Sequence, residues 1–390
     1  MINVEVPVRV FKDGKFVDNL TINDFQVFEN GIPQKIDAVY LVKNRTIERS
    51  EERKRFVPQT SRTFFLFFEI SEYSPKLGEA IEFFVHNVIL PGDNLFVITP
   101  RKMYKLKQKA LTMTAAKEEL ENQFKRILRK DAAIGNSEYR STLKEIGSLA
   151  STLSKSIETG NVDPAERQEI TGRKLDSYES EQYEAMNLDE QLVLYASLLD
   201  RLEILRTVEQ MILLDFAKFL KYKDGQKHVF LFYQKEYIPQ IEPRVLNQFI
   251  GLYEDRPDIA QIVAGLFDFY KRDISFDVDR VKQVYADSSV SIHFLIISEI
   301  PRAVFGVRMQ EHSEDIYNAF RQMAEATGGF IESSSNPAFS FQRALQASES
   351  YYLLYYSPKN YKQDEKFKEI EVQVKDKNYK IIHRLGYIAN

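Results

Sequence analysis

Five histidines, at 86, 228, 293, 312 and 383, are the side chains best suited to acid–base or metal chemistry near neutral pH, and they lie scattered along the chain. No HExxH pair sets two of them one helical turn apart, so a metal site of that kind is excluded. There is no cysteine, which removes disulfides, thiolate metal sites and cysteine nucleophiles. The G-x-S-x-G nucleophile elbow, the phosphate-cradling GxxxxGK[ST] and the dinucleotide GxGxxG are also absent. Carboxylate pairs occur at Glu51-Glu52 and Asp364-Glu365, but both sit in charged runs and read as solvated surface. His228 and His293 fall in or beside apolar runs and read as core residues. The residue types nominate no catalytic set, and no enzyme activity is expected.

The elements that would hold any site follow from periodicity. Near the N-terminus Val4, Val6, Val8 and Val10 alternate with other residues, the period of a half-buried strand. Asp13-Gly14 and Asn30-Gly31 are hairpin signals, and Ile36, Ala38, Tyr40 and Val42 alternate again. From Phe64 to Phe68 the run is continuously apolar, as in a strand buried on both faces of a parallel sheet. Similar runs at 95–98, 228–233 and 290–297 are separated by helical patterns, among them 256–286, 314–326 and 337–348. That alternation predicts an α/β fold with a doubly wound, mainly parallel sheet and flanking helices.

A long helical stretch, about 114–222, lies between the halves. Its middle, roughly 155–182, is polar and reads as a mobile connection. From Leu188 to Phe219 apolar residues recur at spacings of three and four, which predicts one long helix, either an arm or a core-facing helix extended past the sheet. At the C-terminus Tyr351–Tyr356 reads as a strand, and Ile370, Val372 and Val374 alternate. Each end alone has too few strands to bury a face, so a β-sandwich made from both is expected. The expected division is 1–43 and 350–390 for the two parts of that sandwich and 44–61 for a charged linker. An α/β domain then takes 62–349, with a helical insertion at about 132–200.

Motifs near both ends of the chain resemble the bacterial family of VWFA-related proteins, which carry a von Willebrand factor A (VWA) domain. Asn19-Leu20-Thr21-Ile22-Asn23-Asp24-Phe25-Gln26-Val27-Phe28-Glu29-Asn30-Gly31 is similar to the family's N-terminal pattern. Ala324-Glu325-Ala326-Thr327-Gly328-Gly329, then Tyr352-Leu353-Leu354-Tyr355-Tyr356-Ser357-Pro358, and finally Arg384-Leu385-Gly386-Tyr387 follow its C-terminal order. Pro91-Gly92-Asp93 and Asp224-Gly225-Gln226-Lys227 sit where the family places turns before strands. The resemblance implies a VWA-like fold for the α/β domain. The bland reading of Thr327-Gly328-Gly329 is a helix end with positive φ before an edge strand.

VWA domains that bind through a divalent ion carry D-x-S-x-S after the first buried strand, completed by a threonine and an aspartate from neighbouring loops. By that resemblance the candidate ligands here are Glu69, Ser71, Thr114 (or Thr112) and Glu236. Glu69 replaces the first aspartate with a longer side chain, and Tyr73 replaces the second serine with a bulky phenol. Lys235 sets a positive charge where a cation needs a negative one. Mg²⁺ demands near-octahedral oxygen geometry, so these changes together predict a degenerate site with no metal and no cofactor. Glu69 and Lys235 are expected to form an ion pair that seals it, with Tyr73 and Lys235 as binding-surface candidates.

The reading that results is a metal-independent protein-binding or scaffold protein. A Mg²⁺- or Mn²⁺-dependent adhesion domain with a variant site, and an enzyme with an unrecognised site, are the alternatives. Lys plus Arg total 53 against 57 for Asp plus Glu, a net charge of −4, which gives no reason to expect nucleic acid as partner. No run of eighteen apolar residues occurs, so no membrane span is expected, and the partner is expected to be a protein. The family resemblance implies a periplasmic or secreted location with a leader removed, the alternative being cytoplasmic.

Overall fold

The computed structural model describes residues 2–106, 114–158, 183, 185–252, 255–269, 274–298, 307–376 and 378–390. The N-terminal segment forms β1 (Val4–Lys12), β2 (Lys15–Phe16), β3 (Phe25–Glu29), β4 (Ile32–Gln34), β5 (Ile36–Lys43) and β6 (Thr46–Glu52). Next come β7 (Arg62–Glu69), α1 (Pro75–Phe83) with a π-turn over Phe84–Val88, β8 (Asn94–Ile98) and β9 (Met103–Leu106). The helical middle is α2 (Thr114–Gly135), α3 (Ser137–Glu158), α4 (Leu188–Arg206) and α5 (Gln210–Lys221). It is followed by β10 (Gln226–Gln234), β11 (Tyr237–Ile241), α6 (Pro243–Leu252), α7 (Pro257–Phe269) and α8 (Val278–Asp287). The last third holds β12 (Val290–Ile297), β13 (Val307–Glu311), α9 (Glu314–Thr327), β14 (Phe330–Ser334) and α10 (Pro337–Glu349). Strands β15 (Ser350–Tyr356), β16 (Phe367–Val374), β17 (Lys380–His383) and β18 (Gly386–Ile388) close the chain.

The apolar runs build a mixed sheet in the order β14-β12-β10-β7-β8-β9, parallel except for β9, which pairs antiparallel with β8. Each run is continuous because both faces are covered. Phe64, Leu66 and Phe68 face one core with Leu77, Phe84, Phe124 and Phe341, while Phe65 faces the other with Leu214, Phe294 and Phe320. At the amino end of β7, Arg62 pairs with buried Asp93 at 2.6 Å and donates to Val88 O, so the Pro91-Gly92-Asp93 turn is pinned to the sheet.

Two antiparallel sheets come from the chain's ends. One runs β17-β1-β15-β5-β6 and the other β18-β16-β3-β4. The chain passes from β16 in the second to β17 in the first, so the sheets curl into a half-barrel around Val6, Val8, Phe25, Val27, Tyr352 and Tyr356. His383 stitches the corner: its Nε2 accepts from Val372 N at 3.3 Å, and its Nδ1 lies 2.8 Å from Arg384 O. Inside, Tyr356 and Tyr387 both donate to Glu29, at 2.8 and 3.0 Å. The outer face of β15 is buried too, because Phe56 stacks on Tyr355 with centroids 4.5 Å apart.

The expectation of a VWA-like, doubly wound, mainly parallel sheet plus a sandwich is overturned by this architecture. Three of the four sheets among the described residues are antiparallel, the third being the β11–β13 pair; the one sheet with parallel strands is mixed, and the terminal strands curl into a half-barrel. The sequence signal misled because burial on both faces, not parallel pairing, produces a continuous apolar run. Tyr351–Tyr356 is such a run in a wholly antiparallel sheet. Residues 46–52, within the stretch read as a linker, pair with β5 as an exposed edge strand.

The helical middle also differs from expectation. The helix from Leu188 ends at Arg206, and Thr207 is extended with ψ 127° before α5 begins. The two pieces serve different cores. α4 packs with α3, α6, α7 and β11 through Leu149, Leu153, Leu192, Tyr195, Leu199 and Val245, whereas Leu214, Ala217 and Leu220 of α5 lie on the mixed sheet. Most of the polar connection read at 155–182 lies outside the described residues.

Candidate functional site

The carboxyl ends of β7, β10 and β12 meet the helical middle, and the sequence candidates converge there. Parallel pairing sets Tyr233 beside Glu69, so both side chains stand on the same face. Tyr233 donates its hydroxyl to Glu236, which also receives a hydrogen bond from Arg206 Nε. Arg206 is buried at the last turn of α4, with further bonds to Glu203 at 3.0 Å and to His312 O at 2.9 Å. His312 in turn lies 2.5 Å from Gln240 of β11. The carboxylate of Glu236 is therefore spent inside the protein, tying α4 to the end of β10.

Ser71 is occupied as well. Gln234 Oε1 accepts from Ser71 N at 3.0 Å, from Ser71 Oγ at 3.0 Å and from Glu72 N at 3.2 Å. From the other side Arg140 donates to Ser71 O at 2.9 Å and Asn136 to Ile70 O at 2.8 Å. The loop after β7 is thus clamped between a strand-end amide and the first turn of α3.

Glu69 is exposed at the strand end, and its carboxyl is pushed up to about 7. Crowding by surrounding protein is the larger cause and the negative charge of Glu236 the second; water on the exposed side screens both in part. The expected Glu69–Lys235 ion pair is not formed. Lys235 N bonds to Ile297 O at 2.9 Å, and the ammonium pairs with Glu311 of β13 at 3.2 Å. Tyr73 turns away from the strand ends. Its ring lies under the Arg129 guanidinium at 4.8 Å, and its hydroxyl fills the space beside Gly78 of α1. Ser74, one residue out of register for a metal, caps α1 by accepting from Leu77 N.

A divalent ion would need several free oxygens converging at octahedral spacing. Here the Ser71 hydroxyl is held by Gln234, Glu236 by Arg206 and Tyr233, and the charge of Glu236 acts against that of Glu69. Thr114 opens α2, but its side chain, like Thr112, lies outside the described residues. Among the described residues no three His, Asp or Glu side chains converge as a metal group. The described candidates do not fit the ion. Beside them a cleft of about 320 Å³ is lined by Tyr233, Lys235, Glu311, Ser313, Tyr317 and Ser333.

Sequence reading missed Arg206, Gln234, Arg140 and Asn136, the residues that organise the site. Arg206 lies inside an apolar periodicity that continues through α5, so no sequence signal singled it out.

Four large apolar residues are exposed on the two sides of the break between α4 and α5, next to Arg206. Ile204 is 75% exposed, Leu205 36%, Met211 60% and Ile212 64%, all within nine residues of chain. No described helix is long and apolar enough to cross a membrane. No family model matches the chain, and no curated protein matches it.

Proposed function

We propose that the protein is a non-catalytic interaction module that binds a protein partner without a metal ion. The observation that carries this reading is the apolar elbow at Ile204, Leu205, Met211 and Ile212. Large apolar side chains exposed together lose free energy in water until another surface covers them. The charges around them, Arg201, Glu203, Glu209, Asp215 and Lys218, are of both signs. A nucleic acid or an anionic lipid surface would favour a cationic border, so an apolar protein surface with mixed charges at its rim fits better. Metal independence is supported by the internal pairing of Ser71 and Glu236, and the absence of catalysis by the same pairing at the strand ends. Kinship with the VWFA-related proteins is part of this proposal and rests on the ordered motifs alone.

The test retains proteins from an extract of the source cells on the immobilised full chain, with and without EDTA. A second arm uses the chain carrying Ile204→Ser and Ile212→Ser. Both positions are exposed, so the substitutions should change stability by no more than about 0.5 kcal/mol. The expected result is a partner held equally with EDTA and released at least tenfold by the double variant. Loss of that partner in EDTA would return the ion-dependent reading, and full retention by the variant would remove the elbow from the interface.

A further inference from the structure

Where the half-barrel rests on the mixed sheet, three cations line one small cavity. Arg9 of β1, Lys227 of β10 and Arg384, between β17 and β18, contribute to it, and no Asp or Glu is among its lining residues. Arg9 and Arg384 are buried, each with one end anchored. Arg9 donates to Gly328 O at 2.6 Å and to Ser291 Oγ at 2.8 Å, and Arg384 donates to Glu5 O at 2.6 Å. Lys227 donates to Lys223 O at 3.0 Å. These acceptors are neutral oxygens, and the Nε atoms of Arg9 and Arg384 are buried with no hydrogen-bond partner.

The nearest carboxylates, Glu5, Asp224 and Asp287, do not line the cavity and act on Lys227 from outside it. Glu5 accepts from Tyr355 and from Gln226 at 3.2 Å, and Asp287 pairs with Lys221 at 2.7 Å and accepts from Ile388 N at 2.8 Å. His383 adds no charge, since Nε2 accepts from Val372 N. Cations taken out of water without a counter-charge cost several kcal/mol each. The cavity volume is about 10 Å³, the space of one water-sized particle, so a monatomic anion a little larger than water enters as the flexible Lys227 stem gives slightly, and a tetrahedral oxyanion does not fit.

We propose that this junction binds one monatomic anion, chloride, which Arg9, Lys227 and Arg384 share. The ion fastens the half-barrel to the mixed sheet, because its three ligands come from β1, β10 and the β17–β18 connection. Burial, then the charge of Arg384, pushes the Lys227 amine down to about 8 against the opposing charges of Glu5, Asp224 and Asp287. Burial also pushes Arg9 down to about 10.

The experiment uses the full chain. Thermal unfolding is followed while sodium gluconate is replaced by sodium chloride at constant ionic strength, for the native sequence and for Lys227→Met. The methionine keeps the apolar stem and removes the charge. Chloride should raise the native midpoint by about 2–4 °C and leave the variant unmoved. A second measurement does not depend on any variant folding: crystals of the native chain grown in bromide should show an anomalous peak within hydrogen-bond reach of the three side chains. A water molecule there without anomalous signal, or a Lys227→Met chain that responds to chloride like the native one, would overturn the proposal.

Discussion

Glu236 takes hydrogen bonds from Tyr233 and Arg206, and Arg206 is buried, so the pair behaves as an internal joint. Removing one partner strands the other without water. Arg206→Ala should therefore cost about 3–5 kcal/mol in urea unfolding, whereas Lys235→Ala, which breaks a partly exposed pair with Glu311, should cost no more than about 1 kcal/mol. A second residue-scale expectation concerns His228 and His293. Burial, and secondarily the charge of Arg9, holds His228 down to about 3 and His293 well below its ordinary value. Both are neutral in the folded chain at pH values where the unfolded chain protonates them. Their contribution is fully present above about 6.5 and is lost as pH falls toward 3, at about 1.4 kcal/mol per pH unit for each histidine once the unfolded form is protonated. Denaturant midpoints across that window should show the slope, and His228→Leu should remove about half of it. At this scale the sequence was legible for burial and not for partnership. His228 and His293 were readable as core residues, but that Lys235 would choose Glu311 over Glu69 depends on β13, which no motif announces.

The turn from α9 into β14 was among the most readable elements. Thr327-Gly328-Gly329 closes the helix with Gly328 at φ +68°, and β14 is the edge of the mixed sheet. Gly329 is the tighter constraint: a Cβ there would lie 1.7 Å from Ile292 O of the neighbouring strand. Gly329→Ala should separate β14 from β12 and destabilise by about 2–4 kcal/mol, and Gly328→Ala by about 1–2 kcal/mol from its left-handed backbone. Loss of amide protection confined to 330–334 in the first variant would check the mechanism. Other elements were hidden. The break at Thr207 falls within an unbroken apolar periodicity, because α4 and α5 each need an apolar face, though toward different cores. β6 was hidden by its charges, since an exposed edge strand needs no apolar alternation.

For the whole molecule, composition and periodicity gave the mixture of helices and strands and the joining of the two ends, but not how they close. A sandwich and a half-barrel draw on the same alternating strands. What separates them is the passage of β16 into β17 across a corner, held by the His383 bonds to Val372 and Arg384. His383→Ala should therefore loosen the half-barrel alone. Hydrogen exchange should quicken in β16 and β17 while β7 and β10 keep their protection.

Because β1 lies between β15 and β17, a strand made early must wait for strands made much later in the chain. The bond from Tyr355 to Glu5 spans 350 positions of sequence. During vectorial synthesis the mixed sheet can assemble as its strands emerge, but β1 and β5 keep open backbone edges until β15 arrives. A nascent chain halted at residue 349 should accordingly be cut by protease within β1–β6 and recruit holding chaperones, and extension through residue 390 should end both. The arrival of β15 then removes an adhesive edge that the earlier strands carry on their own.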